Sequence, residues 1–186
     1  MASAPTTTGN TPAYRPLFKR VAQNDTKDGI HSADFLGELA CIATIVGASL
    51  DDVRACAIKN GLPKHGPFWV TADLIAKIFS SFGFQSSPEW KSVVTPTQGL
   101  SDVAIMLIEY DEETEIGRSV VYQRTASKAN PPGYEEWIID PAYWVPTDKQ
   151  VSQSARSVMA SWYLSVFPLP YPTSGIPKTP PTVAKK

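Results

Sequence analysis

The chain has 186 residues, 42% of them hydrophobic and 19% charged, enough apolar material for one globular domain with a real core. Its 17 basic and 18 acidic residues leave a net charge of −1, which gives no electrostatic reason to expect nucleic acid or an anionic membrane as partner. Two cysteines, Cys41 and Cys56, are too few for a disulfide scaffold, and with only His31 and His65 beside them they form no ligand set of zinc-like spacing, so no metal and no other cofactor is expected.

Residues 1–28 are rich in Thr, Pro, Ala and Asn and carry little apolar periodicity. They read as a flexible arm, with Tyr14, Leu17 and Phe18 as anchors onto the domain. Met1 to Asn10 has neither the basic start nor the apolar stretch of a signal peptide. No run approaches the ~18 apolar residues needed to span a bilayer. A cytoplasmic or particle-associated protein is the expectation.

The domain is expected over residues 29–166, and its first helix near Ser32 or Asp34. Phe35, Leu36, Leu39, Ile42, Ala43 and Val46 recur at helical spacing, and Leu39 to Val46 is apolar nearly all round, so this helix should be central and buried. Ser49 with Asp52 forms a capping box, opening a helix that carries Val53, Cys56 and Ala57 and stops at Gly61. Thr71 caps a third helix, with Leu74, Ile75, Ile78, Phe79 and Phe82 on its inner face and Gly83 at its end.

Strands follow. Val103 to Tyr110 is a continuous apolar run, as expected of a strand covered on both faces. An acidic turn over 111–117 leads to a second strand, Ser119 to Thr125, and the Ala129–Gly133 segment leads to a third, Tyr134 to Ile139. Ser154 to Val166 reads as a last helix, with Val158, Met159, Trp162, Tyr163 and Val166 on one face. Residues 167–186 are proline-rich, which excludes a helix or a central strand and favours an extended tail, either a docking segment for a protein partner or a solubilising linker. Helices first and an antiparallel sheet second is an α+β order.

A nucleophilic cysteine works as a thiolate, best placed at a helix N-terminus with a histidine in reach. Cys41 stands about two turns inside its expected helix, which favours a core thiol. No histidine follows residue 65, and a loop His65 or the upstream His31 offers no spacing that suggests a dyad. Asp111, Glu112, Glu113 and Glu115 are the charge cluster of the chain and read as a solvated turn. Trp69, Trp90, Trp137, Tyr143 and Trp144 read first as core or rim packing and second as the lining of a groove.

The segment Gly37-Glu-Leu-Ala-Cys-Ile-Ala-Thr-Ile-Val-Gly47 resembles the helix of papain-like (C39-like) cysteine peptidases, which process leader peptides. The resemblance spans roughly residues 30–145 and is carried more by the order of elements than by single residues. In that register Cys41 falls on a second, non-catalytic cysteine, the nucleophile position on Gly37, and the oxyanion-hole glutamine on Asp34. The catalytic histidine position falls on Arg118 or Ser119 within Gly117-Arg-Ser-Val-Val121, while the Asp-Pro after the next strand is kept as Asp140-Pro141. The resemblance thus implies a papain-like fold, a central helix on an antiparallel sheet, that has lost hydrolysis. It implies a pseudoenzyme whose cleft holds a peptide or protein segment, with Asp34, Gly37, Arg118, Asp140, Tyr143 and Trp144 at or around it. Two alternatives remain open: an active cysteine peptidase or amidase using Cys41 and Asp140, and a structural or interaction subunit of a viral or secretion assembly that uses the arms and the Val158–Val166 face.

Overall fold

The computed structural model describes residues 17–27, 35–65, 69–93, 100–127, 131–153 and 158–169. Three helices come first: α1 (Gly37–Val46), α2 (Leu50–Lys59) and α3 (Ala72–Ser81). Seven strands follow: β1 (Phe84–Ser86), β2 (Lys91–Ser92), β3 (Val103–Asp111), β4 (Ile116–Ala126), β5 (Tyr134–Ile139), β6 (Val151–Ser152) and β7 (Ala160–Pro168). The order is α+β, as expected from the sequence. Every strand pairing is antiparallel, in the order β1-β7-β3-β4-β5-β6, with β2 also on β7.

Local signals set the helix ends. Ser49 Oγ accepts from the Asp52 amide at 3.1 Å, the N-cap half of the expected capping box, while the Asp52 carboxylate accepts from the Ser49 hydroxyl at 2.6 Å. Thr71 Oγ1 accepts from the Leu74 amide. Gly47 ends α1 with φ +70°, a left-handed conformation that glycine takes without a Cβ penalty, and both Gly47 and Ala48 donate back to the Ala43 carbonyl.

Helix α1 is buried from Leu39 to Ile45 and packs against β4, α2 and α3. Beneath the helices runs one apolar row across five strands. Leu164 lies opposite Ile105, Ile105 opposite Val121, Val121 opposite Ile139, and Ile139 opposite Val151. Because side chains alternate along a strand, Ala104, Met106, Ile108, Val120, Tyr122 and Ile138 form a second cluster on the other face. Both faces of β3 and β4 are therefore buried, and this is why Val103 to Tyr110 reads as an unbroken apolar run.

Several expectations are corrected. The expected helix at the end of the domain is the strand β7 over Ala160–Pro168; residues 154–157 lie outside the described residues. Its Trp162, Tyr163, Val166 and Phe167 suit a pleated surface, and it is hydrogen-bonded on both edges. The tail therefore does not begin at 167. Phe167 and Pro168 pair with Gln85 and Phe84 in an inner strand of the sheet, and the Leu169 amide donates to the Gly83 carbonyl. Pro168 is tolerated because it is the last residue of the strand. The first helix starts at Gly37, not near Ser32 or Asp34, which lie outside the described residues, and Phe35 is exposed rather than part of its buried face.

The arm is also shorter than expected. Residues 17–27 are tied to the domain. The Val21 amide donates to Thr44 Oγ1 at 3.0 Å, the Gln23 amide to the Pro141 carbonyl at 2.9 Å, and the Leu17 amide to Gln123 Oε1 at 3.1 Å. Phe18 and Val21 pack against the main core, whereas Leu17, expected as an anchor, is exposed; Tyr14 lies outside the described residues. Among the described residues, no helix is long and apolar enough to cross a membrane.

Candidate functional site

The N-terminus of α1 meets the start of β4 at the mouth of an open cavity of about 620 Å³. Gly37 and Glu38 line one side of it, Gly117, Arg118 and Ser119 the other, and Trp144 stands at the rim. A Cβ at Gly37 would lie 3.8 Å from Ser119 Cβ and 3.9 Å from the Gln23 carboxamide, ordinary contact distances with room for a side chain. Gly117 is a different case. A Cβ there would come within 2.9 Å of the Leu107 side chain, which itself forms part of the wall, so only glycine lets β3 and β4 close at this point.

The polar groups of the wall are held in place by one another. Ser119 Oγ donates to Glu38 Oε1 at 3.1 Å. Burial pushes the Glu38 carboxyl above the usual range, and hydrogen bonds from its own backbone amide and from Ser119 only partly oppose this. Arg118 is clamped from two sides. Its Nε and Nη2 donate to the two Glu109 carboxylate oxygens at 3.2 and 2.7 Å, and its Nη1 pairs with Asp140 Oδ2. Glu109 adopts φ +52°, at the irregularity where the β3–β4 register shifts between Ile108 and Asp111.

Asp140, at the end of β5, is nearly buried. Its Oδ1 accepts from the Ala142 amide at 2.9 Å. Burial raises its carboxyl from the ordinary value, while the Ala142 amide, Arg118 and Arg20 pull in the opposite direction. From the N-terminal segment, Arg20 donates to three successive carbonyls of the same turn: Asp140 at 2.5 Å, Pro141 at 3.0 Å and Ala142 at 3.0 Å.

The rim is aromatic. Phe35 (49% exposed), Trp69 (77%), Ile116 (58%) and Trp144 (53%) all border this one cavity. Trp90 and Val70 lie lower in the wall. Tyr143 does not line the cavity but packs edge-on against Trp144, with ring centroids 4.9 Å apart at 84°.

Of the residues singled out in the sequence, the fold brings Gly37, Arg118 and Trp144 to one cavity, with Asp140 paired to Arg118 and Tyr143 packed against Trp144. Asp34 lies outside the described residues. Cys41 stands apart. It has no exposed surface, and burial, then Glu38 and Asp140, push its thiol well above the usual range, so the fallback pairing of Cys41 with Asp140 gains neither a thiolate nor access to substrate. His65 is exposed on the loop after α2. Among the described residues, no three His, Cys, Asp or Glu gather as a metal-ligand set.

Gln23 and Glu38 are site residues that the sequence reading passed over, and Glu115, read as part of a solvated acidic turn, also lines the cavity. Gln23 lies in a stretch with no periodicity, and its position depends on a contact with Pro141 that is 118 residues away in the chain. Glu38 did leave a signal: it is the one acid in the first turn of a helix that is otherwise apolar. No protein-family model matches the chain, and neither does any curated protein.

Proposed function

We propose that this chain is a non-catalytic domain that holds a peptide or protein segment in the cleft between the N-terminus of α1 and the start of β4, on a fold derived from papain-like cysteine peptidases. One observation carries the reading: two solvent-facing tryptophans, Trp69 and Trp144, border a single cavity together with the exposed Phe35 and Ile116. Exposed apolar side chains gathered around a concavity mark a binding surface.

Support for the peptidase descent comes from which positions meet there. Gly37, at the nucleophile position of the resemblance, faces Ser119, which with Arg118 is one of the two residues that fall at the histidine position, and a glutamine side chain (Gln23) lies beside them. Asp140 follows in the order the resemblance requires, but its partner is Arg118. Support for the loss of hydrolysis is chemical. Gly37 offers no nucleophile, the Ser119 hydroxyl is engaged by Glu38, and a buried Cys41 is held as the thiol. The third reading, a structural subunit, loses part of its basis, because Leu164 and Val166 belong to the core beneath the helices and offer no helix face.

The test is to incubate the full chain with capped decapeptides of mixed sequence and to identify what is retained by mass spectrometry. Intact retained peptides, lost with Trp144→Ala, are expected. Cleaved products that disappear with Cys41→Ala would establish the peptidase alternative, and no retention dependent on Trp144 would overturn the binding reading.

A further inference from the structure

Resting on that reading of the cleft, we infer that it is built to receive a cationic side chain, the ammonium of a lysine or the guanidinium of an arginine in the bound segment. Two carboxyl groups, Glu38 and Glu115, line the cavity, and Arg118 is the only cation that does so among the described residues. Arg118 already has its guanidinium nitrogens engaged by carboxylates. Glu109 engages its Nε and Nη2, and Asp140 its Nη1. The wall therefore carries two carboxyl groups without a cationic partner, because neither Glu38 nor Glu115 forms a salt bridge among the described residues.

A helix N-terminus ordinarily favours an anion, and α1 presents its first turn to this cleft. That preference is already met by Glu38, which belongs to the first turn itself. An anionic ligand would have to displace a covalently attached carboxyl group, whereas a cation would complete it.

The aromatic rim fits the same guest. Trp69, Trp144 and Phe35 border the cavity, and Trp90 lines its wall. The face of an indole ring attracts a cation by about 0.5–2 kcal/mol, and the aliphatic stem of lysine or arginine lies favourably along apolar walls while its charged head reaches a carboxylate. A neutral aliphatic side chain would use the walls and leave Glu38 with Ser119 but without a cationic partner. An acidic one would meet two carboxyl groups.

The test measures tryptophan fluorescence of the full chain during titration with N-acetylated, C-amidated glycine pentapeptides that carry a central lysine, arginine, norleucine or glutamate. The lysine and arginine peptides are expected to bind about tenfold more tightly than the norleucine peptide, within the reach of one cation–π contact plus one charge pair. Glu38→Gln, which keeps an acceptor for Ser119, should bring their affinity down to that of norleucine. Glu115→Gln lies on an exposed turn and carries the same test should Glu38→Gln fail to fold; it should weaken lysine and leave norleucine unchanged. Equal or tighter binding of norleucine, or preference for glutamate, overturns the cationic assignment and leaves the segment-binding reading standing. If no peptide gives a change that Trp144→Ala abolishes, both fall.

Discussion

Glu38 stands in the first turn of an apolar helix, half-buried in the wall of the cleft, with its carboxyl accepting from Ser119 of β4. Its folded-state pKa is raised, mainly by burial, so the folded chain binds a proton there more readily than the unfolded chain. The contribution of this group to stability is fully present below the ordinary glutamate range near pH ~4.3 and is lost as pH rises through the folded-state value. Asp140 is shifted the same way and adds to the same slope. Urea midpoints should therefore decline from pH 5 to pH 8, with Glu38→Gln flattening the decline and gaining most at pH 8. An unchanged slope in that variant would mean that the Glu38 carboxyl is solvated. At this scale the sequence was readable where chemistry is local. Cys41 as a core thiol follows from its place within a helix, whereas Gln23 and the clamp of Glu109 on Arg118 exist only once distant strands have met.

The helices illustrate what a sequence states directly. Ser49 and Thr71 are polar residues immediately before periodic apolar runs, and each accepts from the amide three residues on. Ser49→Ala should cost about 1 kcal/mol, read as a lower urea midpoint with an unchanged slope, because the hydroxyl serves both the Asp52 amide and the Asp52 carboxylate. No loss would mean that water replaces the cap. The strands divide differently. β3, β4 and β5 were legible because apolar runs were bounded by acidic or proline-rich turns. β7 was not, since Val158, Trp162 and Val166 recur every four residues as a helix face would. The sheet overrides that spacing: Leu164 and Val166 join the core under the helices, while Tyr163, next to Leu164 and so on the opposite side of the pleat, packs toward the cluster on the other face. A strand covered on both faces has no polar alternation to announce it. The two-residue strands β2 and β6 are too short to leave any pattern.

Across the whole molecule, the cleft is completed by a segment that the sequence assigns to an arm. Residues 17–27 bring Gln23 to the cavity wall and place Arg20 against the turn that follows β5, the same turn that carries Tyr143 and Trp144. One guanidinium satisfies three consecutive carbonyls and also lies near the Asp140 carboxylate, which in turn holds Arg118 in the wall. The N-terminal segment, the end of the sheet and the cleft are thus joined through a single side chain. Arg20→Ala removes three charge-assisted hydrogen bonds at once and should lower stability by about 2–3 kcal/mol. Arg20→Lys should recover only part of this, since a compact ammonium cannot reproduce the planar fork across three acceptors. The distinguishing readout is amide hydrogen exchange. Faster exchange at Ala142, whose amide is held by Asp140, together with faster exchange at Val21 and Gln23, would show that the segment and the turn open as one unit. Faster exchange at Val21 and Gln23 alone would mean that the turn and its aromatic rim stand without the segment, and that Arg20 anchors the chain without shaping the cleft.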